Sequence, residues 1–234
     1  MSEWKRKRFW DKATVEPLEG GFTVHLDGRA VKTPAKSALI LPTRSMAEAI
    51  AAEWDAQDGE IAPLTMPFTR SANAAIDKVR PQRAEVADML ADYGDSDLLC
   101  YRTDSPRELA DRQAAAWDPA LDWATTALGV TLQPRVGIMH LPQEAAMLDR
   151  LRTEVHALDP FQLAGFHDLV SLSGSLILGF AAARDWRPAE EIWTLSRLDE
   201  LWQEEQWGRD DEAHELAEHK RHAFLHAKKF IDFS

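Results

Sequence analysis

The sequence contains very little cysteine, since Cys100 is the only one among its 234 residues. A single thiol excludes an intramolecular disulfide framework and a zinc site built from several cysteines. Positive charge is also scarce, because 27 Lys and Arg face 39 Asp and Glu, for a formal charge of −12. We do not expect so acidic a chain to bind nucleic acid or an anionic membrane surface, since both require clustered Lys and Arg.

Long apolar runs and the common catalytic signatures are missing as well. The longest uncharged stretch, 169–183, is interrupted by serines and a glycine, and at fifteen residues it falls short of the roughly twenty that span a membrane. The sequence contains no phosphate-binding loop, dinucleotide-binding glycine pattern, nucleophile elbow or C-x-x-C pair. The N-terminal segment 1–10 contains four Lys and Arg, but no apolar segment follows it, unlike in a secretory signal. We therefore expect a cytoplasmic protein, not an enzyme, with no catalytic, cofactor or metal site and no membrane partner.

The first forty residues predict antiparallel β structure. Apolar and polar residues alternate over 22–26, which is typical of a strand with one buried face. An Asp-Gly pair at 27–28 favours a two-residue hairpin turn, because both central positions of that turn need a positive φ. Further short strands are expected at 30–33 and 39–41.

From Thr43 onward the signals are mainly helical. Thr43 is a candidate cap for a helix that ends near Gly59, and a proline-rich connector follows. Prolines at helix starts, glycines at helix ends and a capping box at 105–108 predict further helices. One of these helices begins at the capping box, and the others are expected over 81–93, 119–129, 160–183 with a break near Gly174, 188–208 and 210–229. The predicted fold class is α+β. A small antiparallel β-rich domain with one helix, 1–68, precedes a mainly helical, bundle-like domain, 69–234.

One histidine cluster leaves an alternative function open. His214 and His219 resemble a zinc-protease pair, but a spacing of five separates them by about 140° around a helix. His219, His222 and His226 share one helical face and could hold a transition metal. The alternative hypothesis is therefore a metal-dependent helical enzyme, and the competing interpretation is a solvated helix near the C-terminus.

Two other candidates for chemistry have simpler interpretations. Asp92, Asp95 and Asp97 surround Gly94 but do not follow the calcium-loop pattern. A helix C-cap at Gly94, followed by N-cap or turn roles for Asp95 and Ser96, explains them. Cys100 lies among apolar residues, which predicts an inert core thiol.

The most unusual segment is acidic and rich in tryptophan. Residues 185–218 hold twelve Asp and Glu against three Arg, together with four of the nine Trp. Leu195, Leu198 and Trp202 form a stripe that is expected to face the core, whereas Trp193 and Trp207 fall off it. Exposed Trp surrounded by acids would suit a basic protein partner. The alternative is that all of these Trp lie in the core.

Several motifs occur in an order that resembles a known family. They are Lys7-Arg8-Phe9-Trp10, Leu26-Asp27-Gly28-Arg29, Lys32-Thr33-Pro34, Glu53 to Gln57, Ile61 to Pro67, Ala75-Ile76-Asp77, Tyr93 to Arg102 and Gln206-Trp207-Gly208. Together they resemble the assembly chaperones for the α subunit of the F-type ATP synthase catalytic sector, found in mitochondria and α-proteobacteria. The resemblance covers nearly the whole chain.

The resemblance implies an ATP-independent chaperone, monomeric when free, that binds the unassembled α subunit until the β subunit replaces it. It also implies an important acidic residue shortly after the Trp-Gly pair, which maps onto Asp211 or its neighbour Glu212. The absence of a presequence favours a bacterial member. The candidate partner-binding residues are Trp207, Asp211, Glu212, His214, Glu204 and Trp193.

Overall fold

The structure is a computed structural model that describes residues 7–234. These residues form five short strands, ten α-helices and several 3₁₀ or π turns. The strands are β1 Ala13–Leu18, β2 Gly21–Leu26, β3 Arg29–Ala30, β4 Tyr101–Arg102 and β5 Arg135–Val136. The helices are α1 Arg44–Asp55, α2 Pro67–Ala74, α3 Arg83–Ala91, α4 Arg107–Ala127, α5 Ala145–His156, α6 Pro160–Ser173, α7 Leu176–Ala183, α8 Ala189–Ser196, α9 Leu198–Trp207 and α10 Asp211–Asp232. The predicted α+β class, with a small antiparallel sheet before a mainly helical region, is confirmed.

The chain divides into two compact units. Of the described residues, unit 1 comprises 7–83 together with 160–164 and 230–234, and unit 2 comprises 84–159 and 165–229. The first turn of α6 and the end of α10 therefore belong to the N-terminal unit, which no local sequence pattern indicated. The sequence-based boundary after residue 68 stays a prediction.

The sheet of unit 1 is an antiparallel meander in the order β1-β2-β3. The predicted Asp-Gly turn joins β2 to β3, and Asp27 and Gly28 have φ values of 47° and 80°. Strand β1 was not predicted, because its Glu and Pro residues interrupt the alternation of polar and apolar side chains. The predicted strand at 39–41 is reduced to an isolated bridge between Leu41 and Phe22.

Helix α1 covers the sheet and completes the core of unit 1. Thr43 caps it as expected, since its hydroxyl accepts the N–H of Met46 at 3.2 Å. Met46 and Ile50 are fully buried against the sheet residues Val24 and Leu41. The core also includes Phe161 and Phe230 from late in the chain.

Two acidic motif residues of unit 1 hold neighbouring segments together. The Glu53 carboxylate accepts the N–H groups of Phe68 at 2.6 Å and Thr69 at 2.8 Å, at the beginning of α2. Asp77 accepts the Thr33 hydroxyl at 2.7 Å and the Ala35 N–H at 3.0 Å. Much of the pattern that carries the family resemblance thus holds the local structure together.

Unit 2 is helical and is organised around α7, whose residues Leu176 to Ala182 are all buried. The chain breaks between α6 and α7 at Gly174, which has a φ of 70°, as expected from its sequence. Phe166 and Phe180, one from each helix, pack with ring centroids 4.6 Å apart. A helix buried on all sides needs hydrogen-bond acceptors from the protein for its first N–H groups, because water does not reach them.

Asp97 satisfies part of that need from a fully buried position. One carboxylate oxygen accepts the Leu99 N–H at 3.0 Å and the Ser175 hydroxyl at 2.7 Å, and the other accepts the Ile177 N–H at 3.0 Å. Burial raises the pKa of this carboxyl group above its ordinary value. The capping role that the sequence suggested for Asp95 or Ser96 is filled by Asp97, which connects the turn at 98–100 to the start of α7.

Two predictions about α4 are wrong. A helix was expected to begin at Pro119, but α4 is one 21-residue helix that contains this proline. A single lost N–H bond is outweighed by packing of the buried Trp117, Leu121 and Ala124. The capping box at 105–108 does not form either, because no side chain caps α4 and the hydroxyl of Thr103 bonds to the backbone of Ser105 instead.

Within residues 7–234, no helix is both long enough and apolar enough to cross a membrane.

Candidate partner-binding site

The connection between α9 and α10 is short and fixed by local chemistry. Gly208 ends α9 with a φ of 91°, a conformation that favours glycine, and its N–H bonds to the Glu204 carbonyl at 2.9 Å. Asp210 then caps α10, because its carboxylate accepts the N–H groups of Glu212 at 3.0 Å and Ala213 at 3.2 Å. Trp207 is the last residue of α9 and lies directly before this connection.

A groove of about 400 Å³ lies between these two helices, and we call it the α9–α10 groove. Glu204, Trp207 and Asp210 line one part of it, and Leu216 and Lys220 line another. Trp207 is 79% exposed and Leu216 is 56% exposed. Two large apolar side chains thus line the same groove and face solvent, and exposed apolar side chains grouped in this way can mark a contact site. Leu216 was not predicted, because a single leucine among Glu and Ala gives no periodic signal.

The acids around the groove differ in whether they are neutralised. Glu205 pairs with Arg112 through two bonds of 2.6 and 2.8 Å, and this pairing lowers the pKa of Glu205. Glu200 pairs with Arg197 at 2.8 Å. Among the described residues, Glu204, Glu212 and Glu215 have no ion-pair partner. Glu204 lines the groove together with the cation Lys220, whereas Glu212 and Glu215 lie outside the lining on α10. Acids without a cation partner thus lie in and next to the groove, close to the exposed Trp207 and Leu216.

The prediction that Trp193 lies off the buried stripe is wrong. Trp193 is only 5% exposed, and its ring packs 5.6 Å from that of Phe224. The physical reason is a break at Arg197, which separates α8 from α9 and resets the direction in which side chains point. Trp193 cannot anchor a partner while it is buried in this way.

The other tryptophans of the acidic segment are partly buried. Trp186 packs against Trp123 with ring centroids 5.9 Å apart, and the Arg187 guanidinium lies 4.3 Å from its ring. Trp202 is half-buried, with Arg112 at 5.9 Å from its ring. Of the four tryptophans in this described segment, Trp207 alone is exposed.

The remaining candidate residues lie in the first turn of α10 rather than in the groove lining. Asp211 and Glu212 are exposed, and Asp211 is 3.3 Å from the Arg209 guanidinium. Acids in this position suit the positive end of the helix dipole. His214 is half-buried one turn further on. The structure thus brings Glu204 and Trp207 together in the groove lining. A role in binding stays a prediction for these two residues, as it does for Asp211, Glu212 and His214.

The candidates for metal or thiol chemistry find no support. His219 and His222 are exposed and His226 is half-buried, and in the described part of the chain no three His, Cys, Asp or Glu residues are grouped to hold a metal. Burial raises the pKa of the Cys100 thiol to about 12, which makes it the inert core residue that was expected.

An α+β protein whose groove carries an exposed tryptophan and leucine beside unpaired acids is typical of a protein that binds another protein. Comparison with known proteins gives the family. The model of the ATP12 chaperone protein family matches residues 7–125. The chain belongs to this family, which confirms the resemblance found in its motifs.

Relatives extend the match beyond those residues. The crystal structure of Atp12 from Paracoccus denitrificans is 48% identical, with a TM-score of 0.96 and 99% of both chains covered. A structure from Agrobacterium tumefaciens is 40% identical, with a TM-score of 0.91, and covers 96% of this chain and 84% of that chain. The mitochondrial protein atp12 of Schizosaccharomyces pombe is 28% identical over 222 residues, which cover 90% of this chain and 76% of that protein.

Proposed function

We propose that this protein is an ATP-independent assembly chaperone that binds the unassembled α subunit of the F-type ATP synthase. In this proposal it prevents the subunit from aggregating before it pairs with the β subunit, and it acts as a monomer in the cytoplasm without catalysing a reaction. Membership of the ATP12 chaperone family supports the class of function, and the two bacterial structures support the location. The observation that carries the proposal is the exposed Trp207 beside Glu204, an acid without a cation partner, in the α9–α10 groove.

The physical logic concerns a subunit that lacks its neighbour. A subunit of a hetero-oligomer exposes apolar surface that its partner normally covers, and such surface aggregates. A chaperone has to cover that surface and then leave, so one strong aromatic contact surrounded by charge is better suited than a wide apolar interface. The acids steer a basic region of the client towards the groove and favour release at higher ionic strength.

The function is tested by co-expressing the α subunit with and without this protein. We expect the chaperone to increase the soluble fraction of the α subunit several-fold and to co-purify with it. Adding the β subunit should then release the chaperone from the complex. Equal recovery of soluble α subunit in both cultures would disprove the proposal.

Replacing Trp207 by alanine is expected to weaken capture of the α subunit at least tenfold, because a central exposed tryptophan commonly supplies more than 1.4 kcal/mol of binding free energy. Binding is measured by titrating labelled chaperone with solubilised α subunit. The thermal midpoint should change by less than about 2 °C, since the side chain is 79% exposed and contributes little to the core.

Gln206→Ala is the matched control for this variant. Gln206 precedes Trp207 on the same helix and is exposed, but it is not among the groove residues. Capture by Gln206→Ala should equal that of the wild type. Equal capture by Trp207→Ala as well would remove the groove from the proposed binding surface.

A further inference from the structure

A second apolar surface of unit 2 lies on the loop that follows β5. Ile138 is 92% exposed and Met139 is 78% exposed, and Val136 and Leu141 are exposed beside them. Residues 136–143 contain no Asp, Glu, Lys or Arg, in a chain where 28% of the residues are charged. Apolar side chains concentrated at such a tip mark a contact site more often than scattered surface residues do.

The base of this loop is closed by a set of hydrogen bonds. The Gln133 N–H donates to the Gln143 side-chain oxygen at 2.8 Å, and the Gln143 amide donates back to the Gln133 carbonyl at 3.1 Å. The Gln143 N–H also donates to the Asp95 carboxylate at 2.7 Å, and Gly137 donates to the Arg102 carbonyl at 2.8 Å. The loop is thus fixed to the body of unit 2 at both ends.

His140 holds the tip in place from within the loop. One ring nitrogen lies 3.2 Å from the Asp95 carboxylate, and the other lies 3.3 Å from the Tyr101 hydroxyl. His140 is therefore turned back towards unit 2, while its neighbours Met139 and Leu141 are exposed. A loop with this internal bonding presents its apolar side chains in a set shape, which reduces the entropy lost when a partner binds.

We infer that this loop, residues 136–141, is a second contact with the client protein and inserts into an apolar recess that the client exposes before its own neighbour docks. The inference rests on the proposed function and adds a surface to it. A projecting, uncharged, apolar tip is complementary to a concave, uncharged, apolar surface. Met and Ile side chains can adapt to the irregular walls of such a recess.

A second copy of this chain is a poorer occupant. A tip of four side chains presents on the order of 500 Å², below the roughly 800 Å² that each partner contributes to a standard interface. Insertion of a tip into a recess elsewhere on an identical molecule is also a heterologous contact, which does not close into a dimer by itself. A membrane is disfavoured because neither the tip nor the chain as a whole carries the positive charge that anionic lipids attract.

Insertion of the loop can be tested by labelling an introduced cysteine, because the single native cysteine is buried. Cys100 is buried with a pKa raised to about 12, so a thiol-reactive, polarity-sensitive fluorophore would label an introduced cysteine instead. Met139→Cys is labelled in the full chain, and Leu64→Cys is the control, since Leu64 is equally exposed in unit 1. On adding the α subunit, we expect a blue shift at position 139 and none at position 64.

A functional variant accompanies the label. The double variant Ile138→Ser, Met139→Ser should weaken capture of the α subunit at least tenfold with an unchanged thermal midpoint, while Leu64→Ser should match the wild type.

Normal capture by the double variant without a shift at position 139 would overturn the inference and leave the proposed function standing. Failure of the wild type to capture the α subunit would overturn both. A blue shift with neutral lipid vesicles, or with unlabelled chaperone alone, would assign the loop to a membrane or to self-association instead and overturn the inference.

Discussion

Replacing Asp97 by alanine is expected to lower the free energy of unfolding by about 3–5 kcal/mol. The variant leaves the N–H groups of Leu99 and Ile177 and the hydroxyl of Ser175 without their acceptor, at sites that water does not reach. Each buried donor left unpaired costs about 1–3 kcal/mol. Part of this loss is offset because the variant no longer buries a carboxylate. Urea unfolding followed by circular dichroism measures the change.

Ser96→Ala is the control for position 97. Ser96 precedes Asp97 and is exposed, so its replacement should change the free energy of unfolding by no more than about 0.5 kcal/mol. A loss below 1 kcal/mol in Asp97→Ala would show that the buried network at the start of α7 is not needed for stability.

The same carboxyl group should give a measurable pH dependence. Burial raises the folded-state pKa of Asp97 above the 3.8 of an ordinary aspartate, so the folded protein holds the proton more tightly than the unfolded chain does. The resulting stabilisation is complete below about pH 3.8 and is lost as the pH rises through the folded-state pKa. Asp97→Asn lacks this titration. The free energy of unfolding of the wild type minus that of Asp97→Asn should therefore fall as the pH rises, and a difference independent of pH would contradict the assignment.

Elements fixed by local chemistry could be predicted from the sequence. The Asp27-Gly28 turn, the Thr43 cap and the break at Gly174 each depend on the conformation or side-chain chemistry of one or two residues. The family resemblance was also readable. Two of its motif residues, Glu53 and Asp77, are carboxylates that accept hydrogen bonds within unit 1.

Elements fixed by packing between distant residues could not be predicted. Helix α4 continues through Pro119 because its buried face outweighs one missing hydrogen bond. Phe161 and Phe230 join the core of unit 1 from segments that sequence spacing assigned to the helical domain. In the candidate site, Trp207 and Glu204 were predicted from the sequence. The exposure of Leu216 was not, because it depends on the angle between α9 and α10 at Gly208, and the spacing of apolar residues does not give that angle.

The burial of Trp193, in contrast to the exposure of Trp207, leads to a prediction about stability. Trp193→Ala is expected to lower the free energy of unfolding by about 3–5 kcal/mol, because it removes a buried indole and leaves a cavity beside Phe224. Trp193→Phe keeps an aromatic ring at this position and should cost less than half as much. Both values come from the same urea titration.

The sequence assigned Trp193 and Trp207 to one binding surface, whereas their burial predicts opposite phenotypes. Below its unfolding midpoint, Trp193→Phe should capture the α subunit as the wild type does, because the groove remains in place. Trp207→Ala should lose capture without losing stability. If instead Trp193→Ala kept its stability within about 1 kcal/mol and lost capture as Trp207→Ala does, the indole of Trp193 would have to leave the core and reach the partner, and α8 would belong to the binding surface.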